Sequence, residues 1–187
     1  LVAEAGLGLA PGAAFAPEAA GWLRWCFAAK DPSRLVEGVR RLRAWLEAQS
    51  PELLDVPFGN PGQRMGSVGE MIWHIFITEW VYACVLNGES YDGWDQFTRD
   101  SVAELFAIGD RARAGLRKYL ANTTDANVAT SLTLSAAGFT ISGSARKFLT
   151  HTFVHSLRHW AQLATVLRQH GHETSWPHDF VLSDAIE

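Results

Sequence analysis

Apolar positions recur at helical spacing in four long stretches of the chain and switch once to strict alternation. A run over Pro17 to Ala29, with Trp22, Trp25 and Phe27 as apolar anchors, predicts a short helix. Asp31-Pro32 then pairs a capping side chain with a proline suited to a first helical turn. Leu35, Val36, Val39, Leu42, Trp45 and Leu46 follow at the i, i+3, i+4 period of one helix face, and that helix is predicted to end near Ser50-Pro51. The next segment, to Arg64, carries three prolines and two glycines and reads as a loop.

Ser67-Val68-Gly69-Glu70 has the form of a capping box, with serine and glutamate satisfying each other's free backbone donors. Met71 to Phe76 is apolar except for His74, and an element apolar nearly all round is central to a core. Asn87-Gly88 is a good left-handed stop. A second box, Ser101-Val102-Ala103-Glu104, opens a helix carrying Val102, Leu105, Phe106, Ala112, Leu116 and Leu120, which the polar run Asn122 to Asn127 ends. The period then changes from 3.6 to 2. Val128, Thr130, Leu132 and Leu134 alternate with Ala129, Ser131 and Thr133, and Phe139 and Ile141 resume the alternation after a turn, which predicts one short β-hairpin. Ser144 opens the longest helix, which runs to about His170 and closes at Gly171.

The sum is an all-α fold, four main helices in a bundle, with the hairpin before the last. Its domain is expected over residues 31–172, with an extension over 1–30 and an irregular tail over 173–187. At 187 residues the chain is long enough for one domain with a real core. A net charge of −4 does not favour a nucleic-acid partner, which calls for a basic face. No apolar run reaches the roughly 18 residues of a membrane span, and the start lacks the basic region of a signal peptide. Cys26 and Cys84 lie in apolar runs without metal-ligand spacing, and read as buried thiols in a reducing compartment, hence a cytoplasmic protein.

The candidate chemistry is in the histidines. His151, His155 and His159 follow each other at four-residue steps, a slightly slanted stripe with neighbours ~6 Å apart along the axis. One ion at ~2.1 Å from each nitrogen can join a neighbouring pair, whereas the outer two, ~12 Å apart, cannot easily share it with His155. The stripe therefore supplies two ligands, and spacing alone does not say which two. Phe148, Gln162 and Val166 lie within roughly 40° of His155, so the stripe points partly inward, where unpaired imidazoles are costly. His74, amid apolar neighbours, is the natural further ligand. A lone core histidine is more often a hydrogen-bonded structural residue, and it is the combination that raises a metal site above that reading. Three histidines without cysteine suit zinc or nickel, with iron as a further option, and leave coordination positions open for water or substrate. Glu79, ~140° round the helix from His74, is a poor direct ligand and suits a supporting role or a charge facing a neighbouring helix. His151 is a candidate proton carrier beside the site. His170, His172 and His178 sit at the helix end and in the tail and read as solvated.

Two segments resemble the DinB-like family. Ser67-Val68-Gly69-Glu70-Met71-Ile72-Trp73-His74, followed by Glu79, is similar to its second helix. His151-Thr152-Phe153-Val154-His155-Ser156-Leu157-Arg158-His159-Trp160-Ala161-Gln162-Leu163, running on to Gly171, is similar to its last. The likeness covers about residues 33 to 172. It implies up-down-down-up connectivity for the bundle and a metal triad at His74, His155 and His159, beside which His151, Gln162 and Glu79 are candidate supporting groups. It also implies a homodimer and zinc or nickel as the ion. Some related enzymes are transferases or isomerases that use low-molecular-weight thiols such as bacillithiol or mycothiol, with a small electrophile as the other substrate. Many members have no assigned reaction, and the alternative reading of this chain is a non-catalytic metal-binding or stress-response module. The chain departs from the pattern at Trp160-Ala161-Gln162, where many members carry Arg-Gly-Gln, and in the extension up to about Lys30.

Overall fold

A computed structural model describes residues 10–11, 23–24, 43–49, 51–59, 65–136 and 138–172. The chain divides into two units, Leu1–Ala48 with Gly171–Glu187, and Gln49–His170. Within the first, Ala10–Pro11 pairs antiparallel with Leu23–Arg24, and residues 43–48 are helical. The strand at Leu23–Arg24 replaces part of the helix predicted over Pro17 to Ala29. That prediction had aromatic anchors but no cap, and a short apolar run serves a strand equally well. The predicted helix start at Asp31-Pro32, Cys26 and the tail with His178 lie outside the described residues.

The second unit carries the site. Pro51–Asp55 is a turn of 3₁₀ helix where a plain loop was predicted, and it buries Leu53 and Leu54. Helix α1, Val68–Asn87, begins at Ser67, whose side chain accepts from the Glu70 N–H at 3.2 Å. The Glu70 carboxylate reaches the Gly66 N–H at 2.7 Å, one residue before the partner expected for the box, so both ends of the motif still cap donors. The helix stops at Gly88, whose φ of 67° is left-handed, as the Asn-Gly signal predicts. Thirteen of its twenty residues are buried, which makes it the central element of this unit.

Helix α2, Val102–Asn122, starts at the second box, with Ser101 accepting from the Glu104 N–H at 3.2 Å. It lies close against α1 because glycines meet the neighbouring helix. A Cβ on Gly109 would stand 2.8 Å from the Phe76 ring, and one on Gly115 would stand 2.9 Å from the Ala83 Cβ. Asn87 ties the two helices by donating to the carbonyls of Ala83 at 2.8 Å and Gly115 at 2.9 Å. A four-residue helix, α3 at Asp125–Val128, follows where a polar connection was predicted.

The period-2 segment forms the hairpin, β1 at Ser131–Ala136 and β2 at Phe139–Ser144, paired antiparallel with Leu134 opposite Ile141. Gly138, with φ of 81°, takes the turn. The Tyr91 hydroxyl donates to the Ser135 carbonyl and accepts from its N–H, both at 3.2 Å, which fixes the first strand. Helix α4, Ala145–Gln169, is capped by Ser144. Val81, Tyr82, Val85 and Leu86 of α1, Leu134 of the hairpin and Phe148 of α4 share one core cluster. The protein is thus mostly helical with a hairpin before its last helix, as the pattern predicts. Among the described residues no helix is long and apolar enough to cross a membrane.

Candidate metal centre

Helix α1 presents His74 from its apolar middle and α4 presents His155 and His159 one turn apart. The three rings meet. His74 and His155 have centroids 4.8 Å apart, His74 and His159 5.1 Å, and His155 and His159 4.4 Å. The Nε2 atoms of His74 and His155 are 3.0 Å apart. One nitrogen from each of the three lies within 4.8 Å of the others, a spacing compatible with a shared divalent metal ion. His155 and His159 are each only 5% exposed.

The surrounding groups set which nitrogens are free. The Arg158 guanidinium donates to His159 Nε2 at 3.0 Å, so that atom carries a lone pair. The other nitrogen, Nδ1, then bears the proton and donates to the Gln162 Oε1 at 2.8 Å. Burial above all, then the nearby His159, His74 and His151 rings and the Arg158 guanidinium, holds the His155 pKa down to about 3. Burial, Arg158 and His151 also lower the pKa of His159, against a smaller raising effect of its bond to Gln162. Both imidazoles are therefore neutral near pH 7, the form that ligates metals.

Hydrogen bonding alone does not account for the cluster. His155 Nδ1 is buried without a partner, and a buried polar atom so placed is unfavourable. A cation shared at the facing Nε2 atoms of His74 and His155 suits this all-imidazole donor set, and it is a separate matter from the unpartnered Nδ1.

The remaining sequence candidates sort themselves by contact. His151 contacts the His155 ring at 5.3 Å between centroids, but its Nδ1 bonds the Tyr82 hydroxyl at 3.0 Å and it stands outside the triad. Its pKa is lowered by burial, then by Arg158 and Lys147. Glu79 turns to α4, where its carboxylate accepts from Ser156 Oγ at 2.5 Å. Burial pushes its pKa up, while the Ser156 bond and the Arg113 charge push it down. His170 is exposed and His172 partly buried, and neither belongs to the triad. Sequence reasoning missed Tyr82, Ser156 and Arg158. Their only signal was position: a tyrosine two turns after His74, and polar residues beside His155 and His159. Arg113, read from sequence as part of a solvated face, packs its guanidinium 5.8 Å from the Phe76 ring centre.

The sequence profile of the DinB family, given as "DinB family", matches residues 33–183. The chain belongs to the DinB family. A solved structure, the crystal structure of a DinB-like protein from Bacillus cereus ATCC 10987, shares the fold with a TM-score of 0.53 at 17% identity, over 76% of this chain and 95% of that one. No curated protein matches the chain. In this DinB family member Trp160, at the first of the departures from the common pattern, packs edge-on against Phe76 at 5.6 Å between centroids.

Proposed function

We propose that this protein binds one divalent transition-metal ion, zinc or nickel before iron, through His74, His155 and His159, and uses it in a thiol-dependent S-transfer or isomerisation of a small electrophile. The observation that carries the reading is the convergence of three imidazoles from two helices, with one nitrogen from each within 4.8 Å of the others. Bound there, such an ion supplies Lewis acidity, lowering the pKa of a thiol or water and polarising an oxygen group.

The chain's own residues do the rest. Gln162 holds the proton of His159 on Nδ1 and so leaves the lone pair on Nε2, from which the Arg158 guanidinium would have to turn away for an ion to bind. Glu79 and Ser156 join α1 to α4 beside the triad, fixing the register of the two helices that carry it. Tyr82 holds His151 by its Nδ1, leaving Nε2 free to take or give a proton at the wall of the adjoining cavity. From the family resemblance the proposal takes a low-molecular-weight thiol as co-substrate and a homodimer as the assembly, and from the reading of the cysteines as buried thiols it takes the cytoplasm as the location.

A second reading has support in the same geometry. An ion held by both α1 and α4 would cross-link them, and a ligand that binds only the native state stabilises it by mass action. This is the non-catalytic, metal-binding or stress-response role.

The deciding measurement is elemental analysis of untagged protein beside His155→Ala. The expected result is about one equivalent of metal in the parent, as a three-ligand site holds, and its loss in the variant. No metal in the parent, even after reconstitution, removes the proposal. With metal present, accelerated conjugation of a thiol to members of an electrophile panel supports the enzyme. Acceleration of none of them leaves the cross-linking role.

A further inference from the structure

A cavity of about 240 Å³ adjoins the triad and includes His74 and His155 in its wall. Helix α1 gives it Trp73, Ile77 and Val81, and the hairpin gives it Leu134, Phe139 and Ile141. Trp94 lies 5.7 Å from Trp73 between ring centroids and adds a second indole to the lining. The polar groups are few: Thr78, the two histidines of the triad, the hydrogen-bonded Tyr82–His151 pair, and the indole N–H groups of Trp73 and Trp94, of which that of Trp73 is buried without a partner. None of the lining residues is Asp, Glu, Lys or Arg.

These facts select a ligand. An ionic group entering such a space leaves water without gaining a counter-charge from any lining side chain, which is unfavourable. An apolar cavity of roughly 150 Å³ takes a benzene ring, so the volume here suits one ring with a small substituent, or a branched chain of like size. Indole and phenyl walls favour a ring through offset and edge contacts.

We propose that this cavity binds the uncharged, single-ring-sized apolar part of the electrophile, its reacting end toward His74 and His155, with Leu134, Phe139 and Ile141 of the hairpin limiting its size. Only the position of the reacting end rests on the metal-centre reading. The cavity therefore belongs to the electrophile and not to an ionic co-substrate. A smaller recess of about 150 Å³ shares Tyr82, Ile141 and His151 with it and carries Lys147, so the test includes ligands of both charge signs.

The experiment titrates the purified protein, kept metal-free with chelator so that no ion in the cavity wall offers an anion a counter-charge, with 4-methylphenol, 4-methylbenzoate and 4-methylbenzylamine, read by saturation-transfer NMR. The metal that each protein takes up on reconstitution is measured on a separate sample. The neutral ring is expected to bind at least about tenfold more tightly than either ion, because only the ions lose solvation uncompensated. Ala136→Trp and Ile141→Trp, each placing a large ring in the cavity wall, are expected to weaken it by about tenfold or more while metal content and circular dichroism stay as in the parent. Equal binding of a charged ring, no binding of the neutral one, or parent-like binding in a folded tryptophan variant overturns the inference. The charge series uses the parent alone and decides the matter even where both variants fail to fold. Neutral-ring binding in protein that takes up no metal upholds the cavity and removes the metal reading. Metal without ring binding does the reverse.

Discussion

At the residue level, His159 shows how a side chain becomes a ligand. Its Nδ1 proton rests on Gln162 and its Nε2 lone pair faces Arg158, so the tautomer is set by neighbours on its own helix. Outer partners of this kind usually contribute a factor of about 10 to 100 in metal affinity. Gln162→Ala is expected to weaken binding by about that range, and Gln162→Glu, which keeps the acceptor, to restore it. Competition with a chromogenic chelator measures both. Parent affinity in Gln162→Ala would show that Gln162 does not orient the ligand. Ser156→Ala takes from the Glu79 carboxylate its bonded donor and is expected to cost about 1 to 3 kcal/mol in urea unfolding. The histidines themselves were legible in the sequence because four-residue steps have fixed geometry on a helix. The choice between the His151/His155 and His155/His159 pairs was not legible from spacing. It is governed by contacts across helices, such as the bond that draws His151 to Tyr82.

At the element level, the boundaries that sequence predicted well are those with local chemistry. Ser67, Ser101 and Ser144 each accept from an N–H three residues on, and Gly88 stops α1 in the left-handed region. The miss at Leu23–Arg24 had no such local signal. Nor did the sequence show that α1 and α2 lean on glycine. Gly115→Ala has two opposed effects. Alanine favours a helix over glycine by about 1 kcal/mol, while inserting a methyl group into close packing costs about 1 to 3 kcal/mol. The new Cβ would stand 2.9 Å from the Ala83 Cβ, which is fixed to backbone and has no rotamer to escape by, so the helices must separate. Packing should win, with a net loss of about 1 kcal/mol in denaturant unfolding. A gain in stability would show that the two helices move apart freely.

At the level of the whole molecule, the buried groups give the metal-free protein a pH signature whose sign is fixed. His151, His155 and His159 have folded pKa values below the unfolded value of 6.5, down to about 3 for His155. Between those limits the unfolded chain binds more protons than the native one, so stability falls as pH falls below 6.5. Glu79 acts the other way. Its folded pKa is raised above 4.5, so the native state holds that proton more tightly and stability falls as pH rises through the window above 4.5. Each group changes the slope by at most about 1.4 kcal/mol per pH unit. Three histidines against one carboxylate should leave a net loss on acidification between pH 6.5 and 4.5. Glu79→Gln removes the opposing slope and should make that loss steeper, while parent and variant converge toward pH 4. Chemical denaturation in excess chelator at several pH values checks both curves. A variant with a shallower profile would mean that Glu79 is held as a stable carboxylate by Ser156 and Arg113. With metal restored, acid protons compete with the ion for the same nitrogens. The stabilisation by metal should therefore shrink over the range in which the free protein itself weakens, and holoprotein should unfold more steeply on acidification than the metal-free form.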